Sequence, residues 1–310
     1  MIKFFITGGS GFIGSSLVKK LIENDYEVIV YDNLTYGNKQ FLPDSKSLVF
    51  IEGDINDSEY LKKTIVKYSP NYVYHLAAIH FIPDCNSNPK KALNINTIGT
   101  ESVLNACKNN KIEQIIFSST AAVYPINNFP NSEDDTIVGP IDIYGLSKLF
   151  SEMLVKKFYN ETGIQSVVLR LFNAVGPRET NPHIIPHIFQ SAKSSNLIPL
   201  GNLKPKRDYI HVDDIARAFL NLTIKHEKIK GFDIFNVGSG KEYSVNDLIK
   251  MIQNIIGKKL TVQKSDDRVR KLERMHLVSD ISKIKKVIGW EPKITLDKAL
   301  LDTYNYYNGL

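Results

Sequence analysis

The sequence predicts an α/β protein in which helices cover both faces of a mostly parallel, doubly wound β-sheet. Short apolar segments alternate through the first half of the chain with longer segments whose apolar residues recur at helical spacing. A glycine-rich turn separates the first apolar segment from the first helical one. The composition fits a globular protein with a substantial core, because 43% of its 310 residues are hydrophobic and 23% are charged.

Six segments of the first half are predicted to be buried strands, with helices between them. The strands are expected at 2–6, 27–31, 48–51, 72–76, 114–118 and 166–171. The helices are expected at 12–24, 57–68, 89–109 and 144–162. Ligands of such sheets bind at the carboxyl ends of the strands, so the loops there are the candidate site.

After residue 172 this alternation loosens, and proline and glycine become frequent. We expect a strand at 232–237, helices at 244–256 and 295–307, and a short extended segment, LTVQ, at 260–263. The chain then divides into a nucleotide-binding domain and a smaller, discontinuous C-terminal lobe. The expected bounds are 1–172 plus about 207–240 for the domain, and about 173–206 plus 241–310 for the lobe.

Charge and cysteine content exclude several function classes. Lysine and arginine exceed acidic residues by 39 − 33 = 6, but the two signs alternate along the chain, so we expect a solvated surface and no nucleic-acid groove. Cys85 and Cys107 form no metal or disulfide motif, so we predict no metal site and a reducing compartment. The apolar run at the amino terminus is too short for a signal peptide, and no stretch could span a membrane. A cytoplasmic protein is expected.

The glycine-rich turn reads FITGGSGFIGSSLV at 5–18 and predicts a Rossmann-type dinucleotide site. Gly8 permits a tight turn, Gly11 lets the backbone approach a diphosphate, and Gly14 lets helix and strand pack closely. Asp32 ends the second strand, where a carboxylate can bind ribose hydroxyls and would repel a 2′-phosphate. This favours NAD over NADP, although an aspartate there could also merely start a turn.

Two further segments carry groups suited to acid–base chemistry. Tyr144 and Lys148 are four residues apart and share one face of a predicted helix. A nearby ammonium would favour the phenolate and lower the pKa of the tyrosine. Ser118, Ser119 and Thr120 lie at the carboxyl end of the fifth strand, where a hydroxyl could bind the same substrate oxygen.

Taken together, these motifs resemble the extended short-chain dehydrogenase/reductase family. The resemblance is closest to its NAD-dependent nucleotide-sugar epimerases and dehydratases, typified by UDP-glucose 4-epimerase. It also includes HLAA at 75–78, Asn96 with Gly99-Thr100, FNAVGPR at 172–178 and RDYIHVDD at 207–214, and runs nearly end to end.

The resemblance implies a reaction and a set of site residues. Tyr144 would take the proton from a sugar hydroxyl as hydride passes to NAD⁺, Lys148 would hold the nicotinamide ribose, and Thr120 would bind the substrate oxygen. The cofactor residues it implies are Gly8, Gly11, Phe12, Ile13, Gly14, Asp32, Asn33, Asp54, Ile55, Leu76, Ala77, Ala78, Asn96, Ser118, Tyr144 and Lys148. The substrate residues are His80, Thr120, Asn173, His183, Arg207 and Arg270, with Arg268 as an alternative to Arg270.

Departures from the family pattern bear on the reaction. Dehydratases carry an Asp-Glu pair after the catalytic threonine, whereas this chain has Ala121 and Ala122, which disfavours a 4,6-dehydratase. The leading expectation is a 4-epimerase of nucleoside-diphosphate sugars, most simply UDP-sugars, acting as a homodimer. A 2-epimerase, an unusual elimination, a ketoreductase and a non-catalytic NAD-binding scaffold are the alternatives. Leu104, Leu149, Met153 and Phe158 are candidates for the dimer face or for the core.

Overall fold

A computed structural model describes residues 2–265 and 273–309. Within these ranges the chain forms twelve strands and eleven α-helices. The strands are β1 (Lys3–Thr7), β2 (Glu27–Asp32), β3 (Leu48–Glu52), β4 (Tyr72–His75), β5 (Gln114–Thr120), β6 (Gln165–Leu171), β7 (Asn173–Val175), β8 (Leu197–Leu200), β9 (Lys206–His211), β10 (Phe232–Val237), β11 (Glu242–Ser244) and β12 (Thr261–Lys264). The helices are α1 (Phe12–Ile22), α2 (Ser58–Tyr68), α3 (Ile82–Ser87), α4 (Pro89–Leu93), α5 (Gly99–Cys107), α6 (Ile143–Thr162), α7 (Ile184–Ser194), α8 (Val212–Ile224), α9 (Val245–Ile256), α10 (Ser282–Ile288) and α11 (Leu296–Tyr307).

Seven parallel strands form the main sheet in the order β10-β6-β5-β4-β1-β2-β3. Phe4 of β1 pairs with Val28 of β2 on one side and with Tyr72 of β4 on the other. The strand order therefore reverses direction next to β1, which is the switch point where a doubly wound sheet opens a crevice for a ligand. The predicted fold class is confirmed.

Helices cover both faces of this sheet, because successive side chains of each strand point to opposite sides. Phe4 packs with α1 and α8 on one face, in a cluster that includes Leu17 and Phe219. Phe5, the next residue, packs on the other face with α2, α5 and α6. The sheet is thus buried on both sides, which explains why its strands read as apolar runs.

The rest of the chain builds a second layer beside the carboxyl ends of the sheet. Strands β11, β9 and β7 form a three-stranded sheet, and β12 pairs with β8. Helices α7, α9 and α11 bury Ile188, Ile252 and Leu300 in a separate apolar cluster. In the described parts of the chain, none of the helices has the length and apolar character needed to cross a membrane.

The predicted strands and helices of the first half are present, with one break. The helix expected at 89–109 is divided into α4, a π-helical turn at Asn94–Ile98, and α5. Helices α3, α7, α8 and α10 were not predicted. Helix α7 contains Pro186, one of the prolines that become frequent after residue 172. It lies in the first turn, where a missing N–H breaks no helical hydrogen bond.

Candidate active site

A cavity of about 710 Å³ opens at the carboxyl ends of the main sheet. Its walls come from the loops after β1, β2, β4 and β5, from α6, and from the second layer. The catalytic candidates Thr120, Tyr144 and Lys148 therefore share one cavity with the glycine-rich turn. The predicted cofactor residues that line it are Gly8, Gly11, Phe12, Ile13, Gly14, Asp32, Asn33, Asp54, Ile55, Leu76, Ala77, Ala78, Ser118, Tyr144 and Lys148.

The backbone of the glycine-rich turn is tightly packed, and the turn lines the cavity. Gly8 has a φ of +72°, and a Cβ there would lie 2.7 Å from the backbone nitrogen of Ala77. A Cβ on Gly14 would lie 2.2 Å from the carbonyl oxygen of Gly8. Helix α1 begins just after Gly11, which offers no side chain to cap the first N–H groups. Those donors remain for an anionic ligand, so the turn fits the diphosphate of a dinucleotide.

Asp32 sets the shape of the same end of the cavity. Its Oδ2 accepts a hydrogen bond from the Ser10 N–H at 2.9 Å, and its Oδ1 accepts one from the Leu34 N–H at 2.9 Å. Burial raises the pKa of this carboxyl group, and the two N–H donors act against that rise. Each carboxylate oxygen keeps a second lone pair, so Asp32 can hold the turn and still accept from ribose hydroxyls.

The catalytic candidates meet where β5 ends and α6 begins. Asp142 caps α6 by accepting from the Gly145 N–H at 2.8 Å, which fixes the first turn that carries Tyr144. Burial raises the pKa of the Tyr144 phenol above its ordinary value, and a hydrogen bond from Thr120 lowers it. This contact of Thr120 with the phenol was not predicted. The effect of Lys148 on the pKa of the phenol stays a prediction.

Lys148 is buried with few polar partners. Its Nζ donates to the Ser118 carbonyl oxygen at 2.7 Å and lies 4.6 Å from the centre of the Phe117 ring. Burial lowers the pKa of Lys148 to about 7. The ammonium is thus destabilised in the protein and would gain from an added hydrogen-bond acceptor such as a ribose hydroxyl.

A buried ion pair behind the cavity holds β5, β6 and α6 in register. Arg170 donates to both carboxylate oxygens of Glu152, at 3.1 Å and 2.8 Å, and both side chains are 4% exposed. Glu152 also accepts from Ser119, the neighbour of Thr120. This network was missed from the sequence, because Glu152 and Arg170 lie on different elements and their spacing carries no signal.

Asn96 supports the wall of the cavity from behind. The π-helical turn buries its side chain, which accepts from the Ile79 N–H at 2.8 Å and donates to the Ile79 carbonyl at 2.9 Å. It also donates to Ser147 of α6 at 2.9 Å. The side chain of Asn96 therefore packs against Ile79, the residue before His80, and Asn96 is not among the residues that line the cavity. Its direct contact with the cofactor stays a prediction.

The far end of the cavity gathers the predicted substrate residues. His80, Asn173, His183 and Arg207 all line it. Arg207 donates to the Arg274 carbonyl at 2.7 Å and forms an ion pair with Glu273 at 3.0 Å. Residues 273 and 274, which follow β12 in the chain, therefore hold the guanidinium at the cavity wall.

The basic run DRVRKLER is only partly described. Arg268 and Arg270, the alternatives for contact with the diphosphate, lie outside the described residues. Arg274 of the same run forms an ion pair with Asp142, the cap of α6, and donates to the carbonyls of Ala122 and Tyr124. Sequence reasoning did not single out Arg274, although it joins the loop after β5 and the cap of α6 to the segment that holds Arg207.

With this geometry in place, comparison with known proteins decides the family. A family model described as the NAD dependent epimerase/dehydratase family matches residues 4–238. The chain belongs to this family. It is accordingly an enzyme that uses NAD as its cofactor, in agreement with the glycine-rich turn and Asp32.

Several epimerases are similar to this family member over nearly their whole length. A putative UDP-glucose 4-epimerase of Methanocaldococcus jannaschii is 34% identical, with 97% of each chain covered. A UDP-glucose 4-epimerase of Thermotoga maritima, solved with UDP-glucose, has a TM-score of 0.90 and 33% identity, with 99% of each chain covered. A UDP-N-acetylglucosamine 4-epimerase of Methanobrevibacter ruminantium, solved with UDP-N-acetylmuramic acid, has a TM-score of 0.89 and 31% identity, covering 99% of this chain and 98% of the other.

Proposed function

We propose that the protein interconverts UDP-sugars that differ in configuration at C4. The observation that carries this proposal is that Tyr144, Thr120 and Lys148 share one cavity with the glycine-rich turn and with Arg207. NAD, when bound, would supply a reversible hydride acceptor. Tyr144 and Arg207 both line this cavity, so a sugar near the phenol would have its diphosphate directed toward the arginine.

The protein's own groups would manage the proton and the position of the sugar. Tyr144 would accept the proton of the sugar 4-hydroxyl at its phenolate oxygen and return it to the same oxygen in the reverse step. Thr120 would donate to one or other of these oxygens and keep them aligned. Lys148 would bind the nicotinamide ribose and stabilise the phenolate. For inversion of configuration, the 4-keto sugar would turn about its diphosphate and take the hydride back on its other face, and Tyr144 would return the proton to the same oxygen.

Arg207 and Asn173 would bind the diphosphate, and His80 and His183 would lie near the sugar. Arginine suits this role because its planar donors match phosphate oxygens. Ala121 and Ala122 also line the cavity and carry no acid or base. That composition favours epimerisation over the elimination of water.

We further propose a homodimer and a cytoplasmic location. Ile98, Phe150 and Met153 are 50%, 43% and 62% exposed on α6 and the π-helical turn, a pattern suited to a partner surface. Of the other dimer candidates, Leu104 and Phe158 belong to the protein's own core, and the partly buried Leu149 packs against a smaller core cluster. The expected two-part division, 1–172 plus about 207–240 and about 173–206 plus 241–310, is retained as a proposal.

A panel of UDP-, CDP-, GDP- and dTDP-sugars, incubated with enzyme and NAD and followed by NMR, tests the function. We expect a UDP-sugar to reach an equilibrium mixture of two C4 epimers with no net formation of NADH. A 4-keto-6-deoxy product, inversion at C2, or stoichiometric use of NADH would overturn the proposal in favour of a dehydratase, a 2-epimerase or a ketoreductase. Binding of NAD without turnover of any sugar would indicate a scaffold instead.

A further inference from the structure

Two histidines and a glutamate converge at the far end of the cavity. His80 follows β4, whereas Glu179 and His183 precede α7, so the fold brings together two distant segments. One potential ligand atom from each lies within 4.8 Å of the other two, the one such cluster found among residues 2–265 and 273–309. The Nδ1 atom of His183 is 3.2 Å from Oε2 of Glu179.

This set of donors has the composition and spacing of a metal site. Two imidazoles and one carboxylate are a common ligand set for Zn²⁺, and catalytic zinc sites keep at least one position open. Two ligand atoms bound to one tetrahedral ion lie about 3.4 Å apart, as follows from metal–ligand bonds of about 2.1 Å. The separation of His183 and Glu179 is close to this value. Small rotations of His80 would complete the set.

The donors are held in place by their surroundings. Oε1 of Glu179 accepts from the Asn181 N–H at 3.0 Å, and the phenol of Tyr307 donates to the Glu179 carbonyl at 2.6 Å. The side-chain amide of Asn181 contacts Nε2 of His80 at 2.9 Å, which orients that ring. Glu179 is 8% exposed, and a buried carboxylate needs a positive partner.

We propose that His80, Glu179 and His183 bind one Zn²⁺ ion, or a divalent ion of similar chemistry, with its open positions facing the cavity. An oxygen of the substrate sugar would then be able to complete the coordination. This second step rests on the proposed function, whereas the binding of the ion itself does not. His80 and His183 were predicted as substrate residues, but no short motif contains the three donors, so a metal site could not be predicted from them.

The test is titration of the chelator-treated full-length protein with Zn²⁺, followed by calorimetry in the absence of sugar and NAD. We expect one ion per chain. The variants His183→Ala, His80→Ala and Glu179→Gln should each lose at least about 100-fold in Zn²⁺ affinity. Removal of a group that contacts only a ligand, and not the ion, costs less. His276→Gln is the matched control. It removes the histidine of another His–Glu pair, in which Nδ1 of His276 lies 2.8 Å from Glu242. This control should bind Zn²⁺ as the native protein does.

Co²⁺ provides a readout on the native protein that does not depend on the folding of any variant. We expect a visible absorption band when Co²⁺ is added and its loss when Zn²⁺ displaces it. Equal Zn²⁺ affinity in native protein and His183→Ala, an equal loss in His276→Gln, or absence of the Co²⁺ band would overturn the proposal. Because no sugar is present, a failed epimerase assay leaves this result unaffected, and the converse also holds.

Discussion

The two ends of the cavity are built in different ways. The cofactor end consists of the turn at 8–14, after β1, and of residues at the carboxyl ends of the strands on either side of β1. Examples are Asp32, which ends β2, and Ala77, shortly after β4. The sugar end consists of side chains from distant segments, such as His80, His183 and Arg207, joined by hydrogen bonds and ion pairs. Backbone shape therefore defines one end, and side-chain contacts define the other.

This difference explains which substitutions each end tolerates. At the cofactor end, an added methyl group collides with backbone atoms that cannot move without opening the turn. At the sugar end, side chains can exchange partners while the strands stay in place. We expect variation in substrate to arise at the sugar end, and the following experiments separate the two ends, from the largest expected effect to the smallest.

Tyr144 lies where the two ends meet, so Tyr144→Phe should abolish chemistry and spare both binding functions. We expect kcat for C4 inversion to fall about 1,000-fold or more, because no other group takes the proton from the substrate hydroxyl. NMR of the sugar gives the rate, and fluorescence titration gives the affinity for NADH. Near-normal turnover by this variant would exclude Tyr144 as the base.

Gly14→Ala should damage the cofactor end alone. Its Cβ would lie 2.2 Å from the Gly8 carbonyl oxygen, so the turn must open, which costs about 2–3 kcal/mol of unfolding free energy and weakens NAD binding. Gly257→Ala is the matched control. Its φ is +65°, but the Cβ meets no atom within 4 Å, so only the backbone strain of about 1 kcal/mol remains. Urea unfolding and NAD titration compare the two, and equal losses would contradict the role given to the turn.

Arg207→Gln should damage the sugar end alone. Loss of a charged hydrogen bond to phosphate is worth about 1.5–3 kcal/mol, so we expect KM for the UDP-sugar to rise about 10- to 100-fold with little change in NAD affinity. Arg207→Lys, which keeps the charge without the planar donors, should recover part of the loss. An unchanged KM, with a lower melting temperature, would assign Arg207 to holding Glu273 and not to the substrate.

Lys148 links the two ends through its buried charge, and its effect depends on pH. Burial lowers its pKa to about 7, so above that pH the unfolded chain binds a proton that the native protein has released. From this group alone, unfolding free energy rises with pH between about 7 and the ordinary lysine pKa of about 10.4. Lys148→Met removes this dependence, and its stability relative to the native protein should be greater at about pH 6 than at about pH 9.5.

The stability difference between Lys148→Met and the native protein should change by about 3 kcal/mol between these two pH values, measured by urea unfolding at both. Lys156→Met, which replaces an exposed lysine on the same helix, provides the control and should show no such change. A difference for Lys148→Met that stays constant with pH would mean that the native protein keeps the ammonium charged.

Local patterns were sufficient for the sheet, the glycine-rich turn and the Tyr144–Lys148 pair. They were not sufficient for α7, which lies where proline and glycine are frequent, nor for the π-helical turn that moves Asn96 behind the cavity wall. The reason is that both depend on long-range contacts. Ile188 of α7 is buried in the second layer, and Asn96 is held by hydrogen bonds to Ile79 and Ser147.

The sequence by itself determined the dinucleotide end. The requirements of its glycine-rich turn, small side chains and a free helix terminus, are local, and its other residues lie near the ends of strands that the apolar pattern predicts. Only the tertiary structure decided the sugar end. It brings His80 to Glu179 and His183, sets Arg207 against Glu273, and buries the Glu152–Arg170 pair behind Thr120. These contacts depend on how the second layer packs on the sheet, and long-range packing leaves no periodic signal in the chain.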